Sequence, residues 1–168
     1  VLATNASGPR RLTAGAARDY LLGFDAISGR GERFKSGGKV VKNVTGYDLS
    51  KLICGSYGTL AIFDEVTLKT LPKPETNISL LFPCDDITAA VARIAGIFAS
   101  PHEPNAAAIL PQAIAAKAGI DVAGAMLAII RLEGIDVSVA DRAAHLLAAH
   151  KEGVMIDTNA STTLWQKI

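Results

Sequence analysis

The sequence predicts an α+β protein made of two parts, and three observations point that way. Residues 1–70 are dense in glycine and read as loop, hairpin, helix and strand. Beyond residue 75, strand and helix segments alternate, rich in alanine and isoleucine. Between them, "LPKPE" (Leu71 to Glu75) places two prolines one residue apart, which favours extended backbone and stops any helix. The boundary is therefore set at this stretch, with one domain over 1–74 and another over 75–168. About four strands alternating with helices in the second make it an α+β sandwich of the ferredoxin-like kind.

In the first part, "LLGFDAISGRGERFKSGG" gives a strand over Leu22–Ile27, a turn at Gly29–Gly31 and a return strand over Glu32–Lys35. "TGYDLSKLICG" reads as a short helix, with Thr45 three residues before Asp48 as a capping-box start and Gly55 as the stop. In "TLAIFDEVTLKTL", alternation puts Leu60, Ile62, Val66 and Leu68 on one face and Glu65 and Lys69 on the other. Asp64 breaks the pattern and predicts a bulge.

The second part opens with the strand "NISLLFP". A helix follows from Asp85 or Asp86 as cap, with Ile87, Val91, Ile94 and Phe98 as its apolar stripe. "PNAAAILP" and "AMLAIIRLEG" are strands around a small helix, "QAIAAKAG". "DVSVADRAAHLLAAHKEG" is an amphipathic helix with Val139, Ala143, Leu146 and Leu147 inward, and "VMIDTN" is the last strand.

Bulk properties exclude several functions. The net charge of +1 gives no general attraction to nucleic acid or to a membrane, and the few aromatics make no stacking platform. The apolar stretches are interrupted well short of a membrane span. Cys54 and Cys84 lack the close spacing of a metal knuckle and read as reduced, buried thiols. The chain begins at Val1 inside a patterned segment and reads as a piece of a longer protein.

Two glycine-containing stretches carry the chemistry. "ATNASGPRR" (Ala3 to Arg11) lets backbone N–H groups approach an anion, and its arginines either hold phosphate or are simply solvated. "CGSYGTLAI" sets Gly55 and Gly58 at a helix-to-strand turn, where they take positive φ or leave room for a planar ligand. Neither is a Walker loop, for want of Gly-Lys-Ser/Thr, nor a Rossmann loop, which runs from strand to helix. His145 and His150 are five residues apart, not the one-turn spacing of a metal pair, and no serine sits in a nucleophile elbow. Asp64–Glu65 and Asp85–Asp86 read as strand-end and cap charges. Glycine loops without acid, base or nucleophile suit a cofactor cradle, where the cofactor supplies the chemistry.

Taken together, A-T-N-A-S-G-P-R-R, then G-x-x-R-D-x-x-L-G, then G-G-x-x-x-K-N-V-x-G-Y-D-L-x-K-L, then G-T-L, resemble the vanillyl-alcohol-oxidase / p-cresol-methylhydroxylase (PCMH) type of FAD-binding flavoproteins. Within that family they are most similar to the FAD-binding subunits of bacterial glycolate oxidases. The match covers residues 1 to about 75; the remainder resembles the family's cap domain by pattern only.

The resemblance implies the C-terminal part of a PCMH-type FAD-binding domain followed by part of a cap domain, with the upstream pyrophosphate loop missing. It implies FAD as cofactor, with Thr4, Asn5, Ala6, Ser7 and Gly8 along the flavin–pyrophosphate side. Gly15, Arg18 and Asp19 buttress or extend that side. Gly55, Gly58, Thr59 and Ile62 close on the cofactor through backbone groups. Gly46, Tyr47 and Asp48 begin the helix that frames the pocket. No catalytic residue and no metal ligand is assigned, and Ala61 stands where many relatives carry glycine.

The implied reaction is oxidation of glycolate, a 2-hydroxy acid, to glyoxylate. It runs in a complex with a catalytic flavoprotein subunit and an iron–sulfur subunit, cytoplasmic or held at the inner membrane through that complex. A stand-alone FAD-dependent dehydrogenase for another 2-hydroxy acid such as lactate, and a non-catalytic structural subunit, stay open as alternatives.

Overall fold

Phenylalanines at 24, 34 and 63 hold the first sheet together. In the computed structural model, which describes residues 1–41, 46–121 and 123–168, Phe24 meets Phe34 and Phe63 edge-to-face, both at 5.6 Å between ring centroids. Such pairs add about 0.5–1.5 kcal/mol each beyond burial. Phe24 lies on β1 (Leu21–Ser28), flanked by the antiparallel strands β2 (Arg33–Gly37) and β3 (Ala61–Leu68). Leu21, Ala26, Ile53, Cys54 and Ala61 complete this small core.

The chain divides into two compact units, Val1–Pro72 and Lys73–Ile168. The first also carries two single-turn helices absent from the sequence reading, α1 (Arg11–Ala14) and α2 (Ala17–Tyr20), and the short helix α3 (Leu49–Ile53). Asp48 caps α3 by accepting from Lys51 N at 3.1 Å. Thr45, expected at that start, lies outside the described residues, as do Lys42, Asn43 and Val44 of the K-N-V motif.

β3 bulges at Asp64 as expected: Asp25 pairs with Glu65 and Ala26 with Phe63, leaving Asp64 unpaired. The consequence differs from the expected face. Because the bulge inverts the alternation, Ala61 and Phe63 join the core while Ile62, opposite Ile27, is 68% exposed.

The second unit runs β4 (Thr76–Cys84), α4 (Ile87–Phe98), β5 (Ala106–Pro111), α5 (Gln112–Lys117), β6 (Met126–Gly134), α6 (Asp136–Ala149), β7 (Val154–Ile156) and α7 (Thr158–Lys167). Its sheet is antiparallel with order β5-β6-β4-β7, two interlocked βαβ units in the ferredoxin-like arrangement. Alternate residues of the central strands serve opposite faces. Leu80, Phe82, Ala128, Ile130 and Leu132 pack with α4 and α6 through Ala90, Ile97, Val139, Ala143 and Leu146. Leu81, Leu127 and Ile129 pack with Leu110, Ala115 and Leu164. Pro83 is tolerated in β4 because β7 pairs only with Ser79–Leu81, which leaves that edge open beyond.

Asp86 caps α4 at 2.7 Å to Ala89 N. The helix is rolled relative to the expected stripe: Ile94 and Phe98 pack against the core, but Ala90 and Ile97 are the buried residues, and Ile87 and Val91 are about half exposed. Small Ala90 lets the helix axis come close to the sheet.

The sequence reading ended at β7 and missed α7. Asp157 caps that helix. It docks largely through hydroxyls and Trp165: Ser161 Oγ to Ser79 Oγ at 2.8 Å, Trp165 Nε1 to Ser79 Oγ at 2.8 Å, and Thr158 Oγ1 to Thr76 Oγ1 at 2.9 Å.

Candidate functional site

Three segments distant in sequence are stitched together in the first unit. Gly55 N donates to Leu2 O at 3.0 Å, Tyr57 N to Ala3 O at 2.7 Å, and Ala17 N to Ala6 O at 3.3 Å. Asn5 completes the join. Its backbone is left-handed at φ 49°, which Asn tolerates better than most residues, and its Oδ1 accepts from Arg18 N at 2.9 Å. The Cys54 thiol donates to Leu2 O at 3.1 Å beneath the same loop. Burial raises the Cys54 pKa, outweighing the opposing pull of Lys51 and Arg18, so the thiol stays protonated.

Glycine is required at two places in this wall. Gly15 has φ +87°, and a Cβ there would lie 2.7 Å from Asp19 Oδ2, the oxygen that accepts from Ala16 N at 2.8 Å. Gly55 has φ +88°, and its Cβ would come within 3.3 Å of Asn5 Cβ. Tyr57, between Gly55 and Gly58, also holds a positive φ of 55° and is largely exposed. Unusual backbone of this kind gathers where a loop is held in shape for a ligand.

The wall borders an open, mainly apolar cleft of about 860 Å³, lined among others by Leu2, Ala6, Gly15, Tyr20, Phe63 and Leu68. A smaller, polar cleft of about 250 Å³ includes Asp19, Asp48, Lys51 and Lys69 in its lining. Lys69 lines both clefts, and its ammonium sits 5.3 Å from the centre of the Tyr20 ring. The unit is basic: residues 1–72 hold ten Lys and Arg against six Asp and Glu, whereas residues 73–168 hold seven against ten.

Of the residues singled out from the sequence, Ala6 and Gly15 line the apolar cleft and Asp19 the polar one. Thr4, Asn5, Arg18 and Gly55 belong to the wall's internal bonding: Thr4 Oγ1 donates to Val1 O at 3.1 Å, and Arg18 O accepts from the Lys51 ammonium. Ser7 accepts from the Arg11 guanidinium at 3.3 Å, and Gly8 is exposed with open space where a Cβ would stand. Gly58 likewise faces open space, and Thr59 closes its own turn by donating to Ser56 O at 2.6 Å. Ile62 faces outward from β3 and lines neither cleft.

Sequence reading missed the apolar lining, Leu2, Tyr20, Phe63, Val66 and Leu68. The bulge at Asp64 was its one available signal, since a parity change there puts Phe63 and Val66 on the same side. Among the described residues, no group of three or more His, Cys, Asp or Glu is placed to hold a metal. His102 and His145 stack on each other, and His150 packs on Phe82. Among the described residues, no helix is long and apolar enough to cross a membrane.

Comparison with known proteins bears out the resemblance read from the sequence. No protein-family model matches the chain. It is 46% identical over 80 residues to glycolate oxidase subunit GlcE of Escherichia coli K12, covering 48% of this chain and 23% of that protein. It is 40% identical over 108 residues to glycolate oxidase subunit GlcD of Bacillus subtilis 168, covering 64% and 23%. It is 38% identical over 105 residues to D-lactate dehydrogenase of Anaerostipes hadrus, covering 62% and 22%. The chain thus spans less than a quarter of the length of these relatives. Among solved structures, alkyldihydroxyacetonephosphate synthase shares the fold, with TM-score 0.69 and 21% identity over 99% of this chain and 34% of that one.

Proposed function

We propose that this chain, similar over its first part to FAD-linked oxidoreductases, forms part of an FAD-dependent enzyme that oxidises a small 2-hydroxy acid, glycolate foremost. The observation that carries the reading is the stitched wall of small residues beside an apolar cleft in a basic unit. A planar ring system with a diphosphate tail needs an apolar slot, backbone that approaches closely, and cations nearby. Gly15, which lines the cleft at φ +87°, offers backbone without a side chain there.

In this reading Ala6 and Gly15 lie along the ring system. Thr4, Asn5, Ser7 and Gly8 present the loop's backbone and short polar groups to it, and Gly55, Gly58 and Thr59 bring up the turn. Arg18 supplies positive charge, Asp19 holds the Gly15 turn in shape, and Ile62 acts through its backbone alone. Leu2, Tyr20, Phe63 and Leu68 exclude water from the slot. Bound FAD would supply the hydride acceptor for oxidation of a 2-hydroxy acid to the 2-keto acid.

The relatives' names support the substrate class: two are glycolate oxidase subunits, and others are D-lactate and D-2-hydroxyglutarate dehydrogenases. The word "subunit" in two of those names favours a flavin carrier working beside a catalytic flavoprotein subunit and an iron–sulfur subunit. The test is the visible spectrum of the purified protein before and after anaerobic addition of glycolate or D-lactate. A flavin spectrum is expected. Bleaching would identify this subunit as the site of substrate oxidation, and an unchanged spectrum would identify it as a carrier that needs its partner. Absence of flavin would overturn the proposal.

A further inference from the structure

We infer that His102 and His145, on the second unit, form a binding site for a divalent metal ion that prefers imidazole, zinc foremost. The two residues come from different elements: His102 lies in the connection from α4 to β5, and His145 on the exposed side of α6. Their rings stack at 5.6 Å between centroids, with 21° between the planes. Two imidazoles bound to one tetrahedral ion, with metal–nitrogen bonds of about 2.0–2.1 Å, place their centroids roughly 5–5.5 Å apart. The rings thus already stand near the separation that a shared ion sets, and closing on one needs rotation of side chains rather than movement of backbone.

Hydrogen bonding leaves the ring nitrogens suited to this. His145 Nδ1 lies 2.9 Å from Asp141 O, a carbonyl that can only accept, so Nδ1 carries the proton and Nε2 keeps its lone pair. Asp141 Oδ2 stands 3.5 Å from the same Nδ1. A carboxylate and a carbonyl behind the imidazole are the partners that orient metal-binding histidines and raise their basicity. His102 bonds through its backbone alone among the described residues: its N donates to Ser100 Oγ and its O accepts from Arg142 Nη1, both at 3.4 Å. Its ring nitrogens are therefore open.

Arg142, on the same helix as His145, holds the loop in place. Its guanidinium donates to Glu103 O at 3.1 Å and to Glu133 O at 2.8 Å as well as to His102 O. Those N–H groups face carbonyls, and the carboxylates of Asp141 and Glu103 offset the guanidinium charge beside a bound cation. Among the described residues no third His, Cys, Asp or Glu joins the pair, so water fills the other positions and the ion exchanges readily. Two nitrogen ligands select zinc, nickel or copper over magnesium and calcium, which take oxygen.

The test titrates the full chain, first stripped with a chelator, with zinc chloride and follows the histidine ring resonances by NMR. Saturable shifts are expected at His102 and His145. His150 is the internal control and is expected to stay put, because its Nδ1 takes an Arg93 N–H and its ring packs on Phe82. His102→Gln and His145→Gln are each expected to weaken zinc about tenfold or more while the amide spectrum stays that of the folded chain, and magnesium is expected to shift neither ring. No saturable shift, equal shifts at His150, a Gln variant that keeps full affinity, or magnesium acting as zinc does would each overturn the inference. Both histidines lie in the second unit, so the outcome does not depend on flavin.

Discussion

The two units of this chain hold themselves together differently. In Lys73–Ile168, both faces of a four-stranded sheet are buried, and Leu80, Phe82, Leu127, Ala128, Ile129, Ile130 and Leu132 are fully enclosed. In Val1–Pro72, a three-stranded sheet has one small aromatic core, and Leu12, Tyr47, Tyr57 and Ile62 stand largely exposed. There, shape comes from backbone hydrogen bonds between loops and from residues held at positive φ. The first unit spends packing on a slot that it does not fill by itself, while the second fills its own interior. The proposed function expects that difference of a ligand-holding unit and a self-supporting frame.

The largest effect that would test this contrast is in the frame. Phe82→Ala removes a fully buried ring and is expected to cost about 3–5 kcal/mol in denaturant unfolding. Loss of amide protection should be confined to the second unit. Next, Gly15→Ala forces a side chain into a left-handed turn against Asp19 and should cost about 1–2 kcal/mol, loosening the first unit only.

Smaller still is the effect of Cys54. Its folded thiol holds its proton more firmly than the unfolded thiol does, because burial disfavours the thiolate. That stabilisation is fully present below the unfolded thiol's pKa of about 8.5 and declines as pH rises from there through the folded value. A pH series of first-unit stability should therefore fall in alkali, and Cys54→Ala should flatten it. Smallest is the exposed Arg33–Asp64 ion pair, whose double-mutant coupling should be under about 1 kcal/mol and vanish in high salt.

Local signals in the sequence were enough for several elements: the Gly29–Gly31 turn, the Asp86 cap and the break at Asp64 all depend on residues within one turn or one strand. What lay beyond reach depends on contacts distant in sequence. The face of β3 reverses because an unpaired residue inverts its parity. Roll of α4 toward Ala90 is decided by how close the sheet lets it come. α7 has no strong apolar stripe and is placed by hydroxyl pairs to β4 about eighty residues away. At the candidate site, the glycines and small residues were legible as a motif. The apolar lining was not, because Leu2, Tyr20 and Phe63 meet only once Gly55 and Tyr57 are bonded back to the N-terminal loop.

The central claim, that the first unit holds the flavin and the second is a frame, is tested most directly by amide hydrogen exchange of the full protein with and without FAD. The account expects added protection concentrated in residues 2–20 and 54–60, with the strands of the second unit unchanged. Protection that rises instead in β4 and β6, or nowhere, would contradict it.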